Sequence, residues 1–139
     1  MPALFRTPLC IALLLTAHGA CAQAYPTKPV RLIVPFPPGG GVDFVGRVVG
    51  QKLTERLGQQ FAIDNRAGAN GIVGLQALMA SPPDGYTIAA VSAGPLACNP
   101  HLYSKLPYDT LRDFTPIANM RSEEHTSELQ SLRHLVCRL

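Results

Sequence analysis

At 139 residues the chain is long enough for one ordinary domain, and its 15% charged residues give a net charge of only +3. Between Gln23 and Met120 the 8 Lys/Arg and 6 Asp/Glu, a net +2, are scattered along the chain. That excludes the dense basic stripe with interleaved aromatics that a nucleic-acid surface needs. Of the 4 cysteines, Cys10 and Cys21 lie in the leader and Cys137 in an atypical tail, so Cys98 stands alone and no disulfide framework is available.

Residues 1–22 have the layout of a secretory leader. Arg6 supplies the charged n-region, Leu9 to Leu15 the apolar stretch, and Ala20-Cys21-Ala22 the small-x-small site, with cleavage expected after Ala22. The apolar run is far shorter than the roughly 20 residues that cross a bilayer. Cys21 also allows a lipid-anchored reading, but His18 stands where that processing prefers an aliphatic residue. Export to the periplasm is the expectation.

The body from residue 23 to 120 alternates short apolar runs with helical patterns, which predicts an α/β fold on a largely parallel sheet. Val30 to Phe36 reads as a first strand, apolar almost throughout, as strands covered on both faces are. A Pro-Pro-Gly-Gly-Gly loop stops it, and a helix is predicted from Asp43 to Leu57 with Phe44, Val45, Val48, Val49, Leu53 and Leu57 on one face. Gly46 and Gly50 would let that helix approach the sheet closely, and Gly58 suits a left-handed residue just past its end. Phe61 to Asp64 follows as a second strand. Asn70 is expected to cap a second helix running to Met79. Pro82-Pro83-Asp84-Gly85 marks a turn into a third strand, Tyr86 to Val91, and Asn99-Pro100 opens a short helix. Cys98 is expected to be a small buried residue and His101 to be structural or on the surface. From Arg121 this pattern stops. Residues 121–139 resemble translated sequencing-adapter text and are read as a non-native tail, outside the fold.

A βαβαβ unit binds ligands outside the carboxyl ends of its strands, here Pro37–Asp43, Arg66–Gly71 and Ser92–Pro95. In the first segment, Gly39, Gly40 and Gly41 leave N–H donors unobstructed at the positive end of a helix, which suits a carboxylate. The alternative is a tight turn that needs glycine, with Asp43 only a cap. A dinucleotide site fails, because Phe44 stands where the third glycine of G-x-G-x-x-G belongs and no P-loop lysine is present. Ser92 in Val91-Ser92-Ala93-Gly94 misses a hydrolase elbow by one glycine, and the histidines that follow an acid, His125 and His134, lie in the tail. Ser92 is better read as a hydroxyl offered to a ligand. No metal-ligand cluster and no cofactor motif is present in the sequence.

Taken together, Tyr25-Pro-Thr-Lys-Pro-Val-Arg-Leu-Ile-Val-Pro-Phe-Pro-Pro-Gly-Gly40, Asp64-Asn-Arg-Ala-Gly-Ala-Asn-Gly71, Pro83-Asp-Gly-Tyr-Thr87, Asn99-Pro-His-Leu-Tyr103, Leu106-Pro-Tyr-Asp109 and Asp113-Phe-Thr-Pro-Ile117 resemble the Bug-type receptors of tripartite tricarboxylate transporters. The resemblance implies the first lobe of a type II periplasmic-binding-protein fold, incomplete here because the family's chains are more than twice as long and carry a second lobe. It implies a monomeric periplasmic receptor, not an enzyme, that hands a small organic carboxylate to membrane permease subunits. Carried over by position, the ligand-binding residues are Phe36, Pro37, Gly39, Gly40, Gly41, Val42 and Asp43 of the first loop. Gly68, Ala69, Asn70 and Gly71 of the second loop follow, with Ser92 and Ala93 of the third. Two residues depart from the family pattern, Ala67 for a usual proline and Gly46 for a frequent alanine, and neither touches the proposed donors. The rival readings are an exported serine hydrolase using Ser92 and a non-binding remnant of a longer gene.

Overall fold

The computed structural model describes residues 25–120 and 133–138. The leader, with its proposed cleavage site, and residues 121–132 of the tail lie outside the described residues.

Strand β1 (Val30–Val34) sits between β2 (Phe61–Asn65) and β3 (Thr87–Ser92), parallel to both. Val30 pairs with Phe61 and Val34 with Asn65, while Arg31 to Ile33 face Thr87 to Ala89. Helix α1 (Gly41–Leu57) connects β1 to β2, and α2 (Ile72–Met79) connects β2 to β3. The apolar run of β1 divides by the period-two rule between two cores. Val30, Leu32 and Val34 join Phe61, Ile88 and Ala90, with Val42 and Leu53 of α1 packed on them. Ile33 points the other way, into a cluster with Leu75 and Leu78 of α2, Ala89, Val91, Tyr108 and Phe114. A strand covered by a helix on each face has no polar side, which is why its sequence does not alternate.

Beyond β3 the chain makes a wide turn (Gly94–Cys98), a one-turn helix α3 (Asn99–Leu102), and strand β4 (Phe114–Met120). The sequence reading assigned no strand to Phe114–Met120, a run that Pro116 interrupts and that is mostly exposed in the structure. It also left residues 121–139 out of the fold. In the structure Arg133–Arg138 form β5, antiparallel to both β3 and β4, giving the sheet order β2-β1-β3-β5-β4. The ladder between β4 and β5 shifts register between Pro116 and Ala118, where proline has no N–H to give.

One prediction about α1 is corrected. Only part of the apolar stripe placed on one face meets the sheet: Leu53 packs on the core, whereas Phe44 is 68% and Val48 45% exposed. The buried residues of α1 are Asp43, Gly46 and Gly50. A β-carbon on Gly46 would lie 3.1 Å from the Val34 side chain, and one on Gly50 3.2 Å from Ile63. The helix lies so close that its thinnest face, not its most apolar one, meets the strands. Its end behaves as expected. Gly58 takes φ 70° and donates its N–H to Thr54 O. Cys98, expected to be buried, is exposed because the turn after β3 carries it outward.

The chain before β1 is clipped to the start of β3. Tyr25 Oη donates to Gly85 O at 2.5 Å, the Thr27 N–H donates to Tyr86 Oη at 3.1 Å, and Lys28 Nζ lies 4.2 Å over the Tyr86 ring. These contacts lie at the end of the sheet opposite the carboxyl ends of the strands.

Candidate functional site

The carboxyl ends of β1, β2 and β3 present three loops side by side because Val34 and Asn65 share a register position. In the first loop Gly39 takes φ 82° and Gly40 precedes the helix in extended geometry, φ −76° and ψ 164°, with no side-chain cap. Gly41 begins α1, which places Asp43 third in the helix. The expectation that Asp43 starts the helix as its cap is thereby corrected. Its carboxylate turns back instead. Oδ2 accepts the Gly39 N–H and the Arg47 Nε–H, each at 2.9 Å, and Oδ1 accepts Asn65 Nδ2 at 2.8 Å. An acid at this position reaching back past the helix start satisfies a donor that glycine cannot.

Asp43 is 2% exposed. Its carboxyl is held down to about 2, first by the Arg47 hydrogen bond, then by the Gly39 N–H and Asn65, against the opposing effect of burial. A folded value below the ordinary 3.8 stabilises the fold fully above about pH 4 and loses that contribution as pH falls toward 2. The contribution is on the order of 1–2 kcal/mol, discounted because the Arg47 side chain is 53% exposed. Asp43→Asn should therefore be less stable than the native chain at pH 7 and converge with it near pH 2 in urea titrations. Parallel pH profiles for the two proteins would exclude Asp43 as the source.

With Asp43 engaged inward, the N–H groups of Gly41, Val42 and Asp43 are the first of the helix and have no carbonyl one turn back to meet. The first intrahelical partner is taken by Phe44, whose N–H donates to Gly40 O. Pro37, Gly39 and Gly41 are exposed, Phe36 and Val42 half-buried.

The second loop begins with the Arg66 N–H donating to Val34 O at 2.8 Å. Ala69 and Asn70 then take φ 44° and 49°, followed by Gly71 at 85°. Two successive non-glycine residues in the left-handed region cost about 1–2 kcal/mol each and need support. That support comes from outside the loop. Asn70 Nδ2 donates to Asn99 Oδ1 at 2.7 Å, and Asn99 Nδ2 donates back to Asn70 O at 3.2 Å and to Tyr108 Oη at 3.3 Å. Tyr108 Oη in turn donates to Pro95 O. Asn70 was expected to cap the second helix. Gly71 stands at that position instead, with no side-chain cap, and the Asn70 amide is committed to Asn99.

The third loop is drawn in by the same contacts. Ser92 ends β3, and a β-carbon on Gly94 would lie 3.7 Å from Asn70 Nδ2 and 3.9 Å from Ser92 Oγ. A β-carbon on Gly71 would lie 2.5 Å from Pro95 Cγ and 3.6 Å from Pro35 Cβ, so all three loops meet at Gly71. The structure thus brings the residues singled out in the sequence to one edge. Gly68, Ala69 and Asn70 are exposed there, Ser92 and Ala93 half-buried, and Gly71 buried.

Four residues of the arrangement were given no role at the site in the sequence: Arg47, Asn65, Asn99 and Tyr108. Their partners lie far along the chain, apart from the Asp43–Arg47 pair one helical turn apart, which was a legible signal. An open depression of about 600 Å³ near α3, lined by Leu96, His101, Tyr103, Leu106 and Leu111 among others, shares no residue with these loops. Among the described residues no group of His, Cys, Asp and Glu is placed to hold a metal ion, and no helix is long and apolar enough to cross a membrane.

Residues 45–127 match the family described as the tripartite tricarboxylate transporter family receptor. The chain is 43% identical over 110 residues to a UPF0065 protein of Pseudomonas sp., covering 77% of this chain and 32% of the relative. It is 43% identical over 103 residues to the protein BugT of Bordetella pertussis, covering 73% and 32%. Among solved structures, an R. palustris protein with adipate superposes with TM-score 0.66 at 39% identity, and MatC of Rhodopseudomonas palustris with bound malate with TM-score 0.65 at 34%. Each superposition covers 68% of this chain and 32% of the other. The chain therefore spans about a third of the length of the proteins it matches. The parallel sheet with flanking helices is the periplasmic-binding-protein architecture of those neighbours. The family and its neighbours are receptors rather than enzymes, which removes the hydrolase reading of Ser92. The chain belongs to the tripartite tricarboxylate transporter receptor family.

Proposed function

We propose that this chain supplies one wall of a periplasmic receptor site for a small organic carboxylate, which the receptor delivers to the permease of a tripartite transporter. Export with cleavage after Ala22 and action as a monomer belong to the same reading. The observation that carries it is the glycine loop Gly39–Gly41, which leaves the first N–H groups of α1 open while the charge of Asp43 is neutralised from within by Arg47, Gly39 and Asn65. An unneutralised Asp43 would repel an anion at the helix start. As bonded here it instead holds the loop whose N–H groups favour one. The polar side chains of Asn70 and Ser92 stand on the neighbouring loops, within reach of the same edge. Relatives solved with adipate and with malate support a dicarboxylate of about that size.

Titration of the chain with malate and adipate, followed by amide NMR, tests this. Both acids should move the Gly40–Val42 signals, together with Gly68–Gly71 and Ser92, while the corresponding neutral diamides leave them in place. Equal shifts from acid and diamide, or none, would count against the site.

A sharper form removes a single donor. Gly41 is the first helical residue, where proline is tolerated because its N–H has no intrahelical partner. Gly40 before it already has the extended geometry that a following proline requires. Gly41→Pro should leave the melting temperature within a few degrees and weaken malate binding by about tenfold, the loss of one hydrogen bond to a charged group. Unchanged affinity in the folded variant would rule the Gly41 N–H out as a ligand donor.

A further inference from the structure

We propose that Asn65 is a positioning residue for the carboxylate loop, one side-chain amide that clamps both ends of the segment between Phe36 and Asp43 and so sets the direction of the Gly40–Val42 N–H groups. It rests on the reading of those groups as the carboxylate site. Asn65 is the last residue of β2, beside Val34 at the end of β1. Its Nδ2 donates to Phe36 O at 3.2 Å, where the loop begins, and to Asp43 Oδ1 at 2.8 Å, where it ends. Its Oδ1 accepts from the Arg47 guanidinium at 3.2 Å.

Only a primary amide meets these demands in so small a side chain. The group must donate twice, to a carbonyl and a carboxylate, and accept once from a guanidinium. The same pattern fixes the orientation of the amide, since the reverse would set its oxygen against the Asp43 carboxylate. Between the clamped ends stand Gly39, Gly40 and Gly41, with no side chains to hold the backbone, and Gly39 in the left-handed region. Two further hydrogen bonds act on this segment: the Gly39 N–H on Asp43 Oδ2, a carboxylate that Asn65 fixes together with Arg47, and the Phe44 N–H on Gly40 O at the helix start. Release of the amide would therefore loosen the glycine segment at both ends while the strands beneath it stay paired.

Amide hydrogen exchange and malate titration of the native chain, Asn65→Ala and Asn65→Asp decide this. Asn65→Ala should leave exchange across Val30–Val34 unchanged, raise it about tenfold or more at the bonded amides of Gly39 and Phe44, and weaken malate binding about tenfold at every pH. Asn65→Asp keeps the shape but sets a carboxylate against that of Asp43, so one of the pair must hold a proton to restore a donor. Its loop protection and malate affinity should be poor at pH 7.5 and recover toward pH 5.5, a recovery that the native chain and Asn65→Ala do not show. A purely structural role for Asn65 predicts no such pH dependence. Native exchange at Gly39 and Phe44 in both variants, or native malate affinity in both, overturns the clamp. If malate and adipate bind not even the native chain, the carboxylate reading fails, and the exchange rates at Gly39 and Phe44 still decide whether Asn65 holds the loop. Should neither variant fold, the native chain answers: the Asn65 side-chain NH₂ signals must shift together with the Gly39 amide as Asp43 titrates, and independent movement overturns the proposal.

Discussion

Gly74→Ala should destabilise the chain by about 3 kcal/mol, although alanine is the better helix former by about 1 kcal/mol. A β-carbon at Gly74 would lie 2.5 Å from Pro35 Cβ, 2.8 Å from Pro35 Cα and 3.1 Å from Arg66 O. Two of those atoms are backbone, and Pro35 is itself fully buried at the end of β1, so no rotamer change relieves the contact. Helix α2 would have to lift from the sheet at the point where the first two loops begin. Gly46→Ala provides the control on α1. There a β-carbon would meet a Val34 methyl at 3.1 Å, the far end of a side chain that can give by a few tenths of an ångström. That variant should be neutral or slightly more stable. Denaturant titration of both checks the contrast, and equal stabilities would mean that the close approach of α2 at Gly74 is not rigid.

Asn99→Leu should cost about 2–3 kcal/mol, because the leucine fills a similar space but leaves the Asn70 amide and carbonyl without their partner. Asn99 has no exposed surface, so water cannot replace it from its own side. The Asn99 amide is also what holds Asn70 at φ 49°, and without it the second loop loses its link to the third. In a double-mutant cycle with Asn70→Ala the two losses should overlap by at least about 1 kcal/mol, since both break the same bonds. Additive losses would show that the asparagines stabilise the loops separately. Because Tyr108 Oη retains Pro95 O, the turn after β3 should keep its place, so exchange should rise at Gly68–Gly71 more than at Gly94–Cys98.

Acid titration separates these effects from the first loop, whose stability alone depends on Asp43 among the groups described above. Neither Asn99 nor Gly74 titrates, so the pH profiles of their variants should run parallel to that of the native chain.

Much of the architecture was legible from local pattern. The run Val30–Val34, apolar but for Arg31, announced a strand covered on both faces, and Gly58 marked the end of α1 by its left-handed geometry. Pro82–Gly85 marked the turn into β3. These are properties of neighbours in sequence, and so were the loops at the carboxyl ends of the strands, which follow from the order of elements. The family itself was readable in the short motifs between Tyr25 and Ile117, because their spacing survives without knowledge of the fold.

What only the tertiary structure decided depends on residues distant in sequence or on how close two elements come. Periodicity showed that α1 has an apolar stripe including Phe44 and Val48, but the sheet lies so near that the glycine face meets it and those side chains point out. Asp43 offered a cap or a ligand in the sequence. Asn65, 22 residues away, and Arg47 together turned it into the anchor of its own loop. Asn70 pointed to a local cap by its type, yet its partner Asn99 is 29 residues on. The place of Arg133–Arg138 between β3 and β4 is likewise a matter of strand order, which no local pattern records. The sequence by itself determined the first three strands, the two helices between them, the edge to which their loops run and the family. The packing distances and long-range hydrogen bonds determined which side chains face that edge and which hold it in place.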